Sequence, residues 1–173
     1  MKDNLFFVLT GICIFAHIVR TIYEILKHRK RVVPGNFSFI IVFADMIVLW
    51  ITWFLLCSQD AFRIELPILV RYAGLVLVVM GVLLFLVALS TIKTLETYSG
   101  DLITHGIYSR IRHPMYLAFI LWLTGMPVFY GACFSMLLAM LFIANVLFWR
   151  HLEELELVSR FSGYNAYRTR TFF

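Results

Sequence analysis

The chain is short of charge, of paired cysteines and of linker composition, and each shortage narrows what it can be. Asp, Glu, Lys and Arg make up 14% of its 173 residues against 62% hydrophobic ones, which excludes a water-soluble domain of ordinary surface. Its solvent is therefore mostly lipid. Cys13, Cys57 and Cys133 lie inside or at the edge of apolar runs without C-x-x-C spacing, so they read as small buried hydrophobes. The histidines are too scattered for a zinc site, and no metal is expected. With no low-complexity boundary, residues 1–173 read as one domain. The net charge of +5 comes from bases at the ends of apolar runs, where lipid headgroups account for them and a nucleic-acid partner is not needed.

What is present is a series of long apolar runs. A membrane-crossing helix needs about 20 mostly apolar residues, and the runs 5–26, 37–57 and 68–89 meet that length. The first has no small-residue cleavage site before its polar end and reads as a retained span. Runs 116–130 and 132–149 follow, separated only by Gly131, and predict a tight helical hairpin. The shorter arm covers roughly 22 Å at about 1.5 Å per residue, so it starts or stops inside the membrane or is covered by protein. The loop after the first run carries Lys27, Arg29, Lys30 and Arg31 without an acid, which makes it cytoplasmic. Five spans then put the N-terminus outside, and residues 90–115 and the C-terminus on the cytoplasmic face. The expected fold is an all-α integral membrane protein of five transmembrane helices, with a cytoplasmic loop and a C-terminal amphipathic helix.

Two cytoplasmic stretches hold most of the remaining polar residues. The first, Gly100 to Tyr116, reads G-D-L-I-T-H-G-I-Y-S-R-I-R-H-P-M-Y. Singly, Arg110 and Arg112 read as snorkelling flanks, and Tyr108 and Tyr116 as interfacial aromatics. Together, His113-Pro114 sets an extended backbone beside a helix start, whose free N–H groups suit a carboxylate. The second stretch, Arg150 to Tyr167, repeats Leu152, Leu155, Val158 and Phe161 every third residue and predicts an amphipathic helix continuing from the last span. Arg150 and Glu154 stand four apart on one face, in the less favourable order for a surface pair. Glu153, Glu154 and Glu156 are unusual neighbours for an anionic leaflet.

R-H-P-M-Y at 112–116, preceded by G-I-Y at 106–108 and followed by Glu153-Glu154, resembles the isoprenylcysteine carboxyl methyltransferase family, itself related to phospholipid methyltransferases. The resemblance covers about the last 75 residues of the sequence. It implies S-adenosylmethionine as cofactor, held by Gly100, Asp101, Leu102 and Ile103, by Tyr108, by His113, Pro114, Met115 and Tyr116, and by Lys93, within a functional region spanning 93–167. It also implies Arg150 and Glu154 on the substrate side. The family's F-G pair appears here as Phe161-Ser162-Gly163 and the next tyrosine comes one residue early, which leaves Glu153 and Glu154 as alternatives for that role. The family's proline near the C-terminus is missing.

The implied reaction is methyl transfer to a lipid-like or prenylated acceptor, in the first instance a carboxylate such as a prenylcysteine. A carboxylate nucleophile needs no general base, and Arg150 would orient it while Glu154 holds Arg150. The rivals are methylation of a phospholipid amine or a small hydrophobic thiol, a nicotinamide-dependent membrane reductase sharing the H-P-x-Y element, and a non-enzymatic membrane subunit. His17, Arg20 and Asp45 are ionisable residues within apolar runs and are functional candidates without an assigned role; snorkelling explains Arg20 about as well, and pairing with another helix explains Asp45. Gly74 and Gly81 are candidates for close helix packing.

Overall fold

A computed structural model describes residues 2–33, 35–92 and 101–173; the expected cofactor residues Lys93 and Gly100 lie outside the described residues. Among the described residues six α-helices follow in order: α1 (Lys2–His28), α2 (Asn36–Gln59), α3 (Ile68–Ile92), α4 (Pro114–Tyr130), α5 (Cys133–Arg160) and α6 (Tyr164–Arg168), with a 3-10 turn at Gly106–Ser109. Among the described residues there are no strands, only two isolated bridges, Arg63 with Ala132 and Ile111 with Phe172.

Among the described residues four helices, α1, α2, α3 and α5, are long and apolar enough to cross a membrane. Their outward faces expose large apolar side chains such as Phe15, Leu69, Leu83, Met140 and Leu141, a surface that water would not tolerate. The chain is an integral membrane protein. α4 has 17 residues, about 26 Å of helix, and is shorter than the four; the count of five spans therefore depends on how α4 is placed. Its backbone lies directly against α3: a Cβ on Gly74 would stand 2.7 Å from the Gly125 carbonyl oxygen, and one on Gly81 2.9 Å from that of Ala118. Glycine at these positions lets the two helices touch through their main chains.

The hairpin between α4 and α5 turns on Gly131, which has φ +64° and closes α4 through its N–H to the carbonyls of Pro127 and Val128. Beyond it, α5 runs unbroken for 28 residues, so the expected last span and amphipathic helix are one element. No breaker intervenes before Phe161-Ser162-Gly163. Along this extension Trp149, Leu152 and Glu154 are buried whereas Leu155 and Val158 are exposed. The start of α5 is capped from another loop: Asp60 is buried, accepts from the N–H and hydroxyl of Ser135 at 2.7 Å each, and from the N–H of Phe62 at 2.8 Å. The core between the helices is aromatic, with Trp50, Phe85, Phe119 and Trp122 meeting at centroid distances of 5.2 to 6.0 Å.

Candidate active site

The ends of α1, α3 and α5 and the starts of α2 and α4 converge on one side of the bundle, and there the residues singled out by sequence meet. His113 caps α4 in a non-helical conformation and Pro114 takes the first helical position, where its missing N–H would be unpaired in any case. The preceding 3-10 turn begins at Gly106, with φ +59°; a Cβ there would meet the Thr91 side chain at 3.1 Å. That turn buries Tyr108, whose carbonyl accepts from the Tyr167 hydroxyl at 2.6 Å.

Glu154 is the hub beneath this turn. Its Oε1 accepts from Arg112 Nε at 3.3 Å, stands 3.4 Å from His113 Nε2, and lies 3.5 Å from the Tyr164 hydroxyl. Because a carboxylate only accepts, this arrangement favours the proton on Nε2 and leaves Nδ1 as the acceptor nitrogen, 3.9 Å from Glu153. Burial lowers the His113 pKa from its ordinary value of 6.5, opposed by the nearby Glu153 and Glu154. The ring is neutral at pH 7. Burial likewise raises the pKa of Tyr108, Tyr164 and Tyr167, so their hydroxyls are protonated donors at neutral pH.

The C-terminal segment straps this assembly. Arg112 Nη1 donates to the carbonyls of Arg168 at 3.0 Å and Thr171 at 2.6 Å, and the main chains of residues 110–112 exchange hydrogen bonds with Phe172.

Beside His113 opens a cavity of about 140 Å³. Five of the expected cofactor residues, Tyr108, His113, Pro114, Met115 and Tyr116, line it together with Glu153. Asp101, Leu102 and Ile103 are described but do not line it; Asp101 is exposed and the other two are half-buried. Of the expected substrate-side residues, Glu153 faces the cavity, while Glu154 lies behind it under His113. Glu154 pairs with Arg112 rather than with Arg150. The Arg150 guanidinium lies 4.5 Å from the ring centre of Phe173, its Nε buried without a hydrogen-bond partner, and it is not part of the cavity wall.

Other cavity residues carry no motif. Arg20 enters from α1, and Phe39, Val42, Phe43, Met46 and Trp50 form a wall along α2, opposite Phe85 and Phe119. The spacing 39, 42, 43, 46, 50 is one face of a helix, but α2 is apolar all round, so periodicity does not mark that face in advance. Tyr108, Arg112, His113, Tyr116 and Glu153 gather near the start of α4, and Trp50, Phe85 and Phe119 lie further into the bundle. This is a slot with a polar end and an apolar end. Among the described residues no group of three or more His, Cys, Asp or Glu is placed to hold a metal.

A sequence model of the phospholipid methyltransferase family matches residues 69–163, more than half of the chain. The match takes in α3, α4 and α5 and leaves out α1 and α2. No curated protein and no solved structure matches the chain.

Proposed function

The chain belongs to the phospholipid methyltransferase family, and on that premise we propose that it transfers a methyl group from S-adenosylmethionine to the polar end of a lipid-like acceptor. The observation that carries this reading is the meeting of Tyr108, His113, Pro114, Met115, Tyr116 and Glu153 on one cavity whose other end is apolar. The donor set suits the cofactor: aromatic faces and a carboxylate favour a sulfonium cation, and the start of α4 offers main-chain N–H groups to a carboxylate. Tyr108, Tyr116 and Glu153 would hold the cationic part, with His113 fixed in one tautomer by Glu154. When bound, S-adenosylmethionine supplies an electrophilic methyl carbon.

The residues of the chain then have positioning and exclusion to perform. Trp50, Phe85 and Phe119 keep the inner end of the slot dry and match an alkyl or prenyl chain. Alignment of two bound partners in such a site supplies much of the acceleration, since this displacement needs little covalent help. The basic loop Lys27 to Arg31 follows α1 on the same side as the start of α4, so the polar end of the slot faces the cytoplasm by the positive-inside rule, and α4 counts as the fifth crossing.

The first acceptor we propose is a carboxylate such as that of a prenylcysteine. A phospholipid amine is the second, favoured by Glu153 on the cavity wall, which could take a proton from it. Calorimetric titration of detergent-purified protein with S-adenosylmethionine, comparing wild type with His113→Ala and with NADPH, tests the reading. Binding that weakens in the variant is expected; NADPH binding without S-adenosylmethionine binding would sink it.

A further inference from the structure

We infer that the slot takes a short apolar chain and stops it on the ring of Trp50, so that this residue sets the longest acceptor the protein accepts. The inference rests on the methyltransferase reading only in taking the slot as the acceptor's site.

The inner end of the slot is closed by three rings from three helices. Trp50 of α2 meets Phe85 of α3 at a centroid distance of 5.2 Å and Phe119 of α4 at 6.0 Å, and Phe85 and Phe119 meet at 5.9 Å. All three belong to the cavity wall. Behind them lies Trp122, which is 5% exposed, forms no part of that wall, and meets each of the three at 5.2 to 5.7 Å. A chain entering from the polar end therefore meets closed aromatic packing, which yields to added carbon only at a cost.

Two helices give the depth of this stop. From His113 to Phe119 there are six residues along α4, about 9 Å, and from Ile92 to Phe85 seven along α3, about 10 Å. The two depths agree, and each is well short of one leaflet's hydrocarbon, about 15 Å, which is half of a core about 30 Å thick. A full-length acyl chain overruns the slot. A short alkyl or prenyl chain ends against the rings with its head beside Tyr108 and His113. Of the three rings the indole of Trp50 is the largest, and α2 lies outside residues 69–163 that match the family. The length limit thus comes from a helix particular to this chain.

The test uses the full chain in uncharged micelles and measures by calorimetry the affinity for S-alkylcysteines with octyl, dodecyl and hexadecyl chains, with the matching alkylamines run beside them. Affinities are taken against the mole fraction of ligand in the micelle, so that each chain's own preference for detergent cancels. Wild type should bind octyl over hexadecyl by about tenfold or more, the penalty for forcing a chain into closed packing. Trp50→Leu should move the best-bound chain to dodecyl and cut the octyl-to-hexadecyl ratio by about threefold or more. Trp50→Phe should act in the same direction by less, and it decides the matter if the leucine variant fails to fold. Ile51→Ala, on the exposed face of the same helix, should leave the ratio unchanged. A cutoff that shifts with Trp50, with either head group, supports the inference; equal binding of all chains in wild type, binding of none, or a cutoff that ignores Trp50 or moves equally with Ile51 overturns it. S-adenosylmethionine binding is read separately, so its absence would remove the methyltransferase reading without deciding where the chain stops.

Discussion

Arg112 donates through Nε to Oε1 of Glu154 at 3.3 Å, joining the loop that leads into α4 to the far end of α5. The same guanidinium holds the carbonyls of Arg168 and Thr171, so one side chain fastens three parts of the chain. Both partners are largely buried, with 11% and 9% of their side chains exposed. Removing one partner of such a pair leaves the other uncompensated, and Arg112→Ala should destabilise the protein by about 3 kcal/mol. It should also release the C-terminal segment, so that trypsin cuts at Arg168 or Arg170 well before the bundle opens. Unfolding in detergent and mass spectrometry of a timed digest check both parts; unchanged cleavage would show that the strap is held elsewhere.

His113 gives the fold a pH dependence of defined sign. Its pKa is lowered by burial in the folded protein, so below its ordinary value of 6.5 the unfolded chain binds a proton that the folded one resists. Stability from this group is complete above pH 6.5 and is lost as pH falls from there toward the folded value. The slope from one proton is at most about 1.4 kcal/mol per pH unit. Unfolding midpoints between pH 7.5 and 5.5 should fall for wild type and fall less for His113→Asn.

The motif around His113 was legible because its parts are contiguous: a glycine needed for a turn, an H-P pair at a helix start and two tyrosines within eleven residues come together by local geometry alone. The long helices were legible from the length of their apolar runs. Partner choice was not. Spacing pairs Arg150 with Glu154, yet the loop before α4 folds over Glu154 and brings Arg112 and His113 to it from forty residues away. Arg150 turns instead to Phe173, a contact across the C-terminal segment that no local pattern encodes. Arg20 shows in sequence only as an ionisable residue in an apolar run, because what gives it a place is the cavity formed by four other helices.

The contact between α3 and α4 should be intolerant of a single methyl group. A Cβ on Gly125 would stand 2.5 Å from the Gly74 carbonyl oxygen, 2.9 Å from Val78 and 3.0 Å from Leu77. Main chain cannot give way as a side chain can, so Gly125→Ala should force the helices apart and lower stability by about 1–3 kcal/mol. Gly11→Ala is the matching control: nothing lies within 4 Å of its added Cβ, and helix propensity favours the change by about 1 kcal/mol. Thermal unfolding of the two variants should move in opposite directions. Because α4 carries His113 and Tyr116 at its start, the Gly125 variant should also weaken cofactor binding.

Glu153 and Glu154, adjacent in sequence, should fail in different ways. Glu154 is enclosed by Arg112, His113 and Tyr164, so Glu154→Gln should lower stability and loosen the cofactor through His113, whatever the acceptor is. Glu153 faces the cavity with 40% of its side chain exposed, and its replacement should leave the fold intact. The sign of its effect on turnover then identifies the acceptor. With S-adenosylmethionine saturating, so that the part of Glu153 in holding the cofactor is not limiting, a carboxylate acceptor is repelled by Glu153, and Glu153→Gln should tighten its KM with little change in kcat. An amine must shed a proton, and losing the base should lower kcat by about a hundredfold or more. Steady-state kinetics of the two variants with a prenylcysteine analogue and with a phosphatidylethanolamine in mixed micelles separates these outcomes, and equal losses in both variants with both acceptors would refute the division of roles.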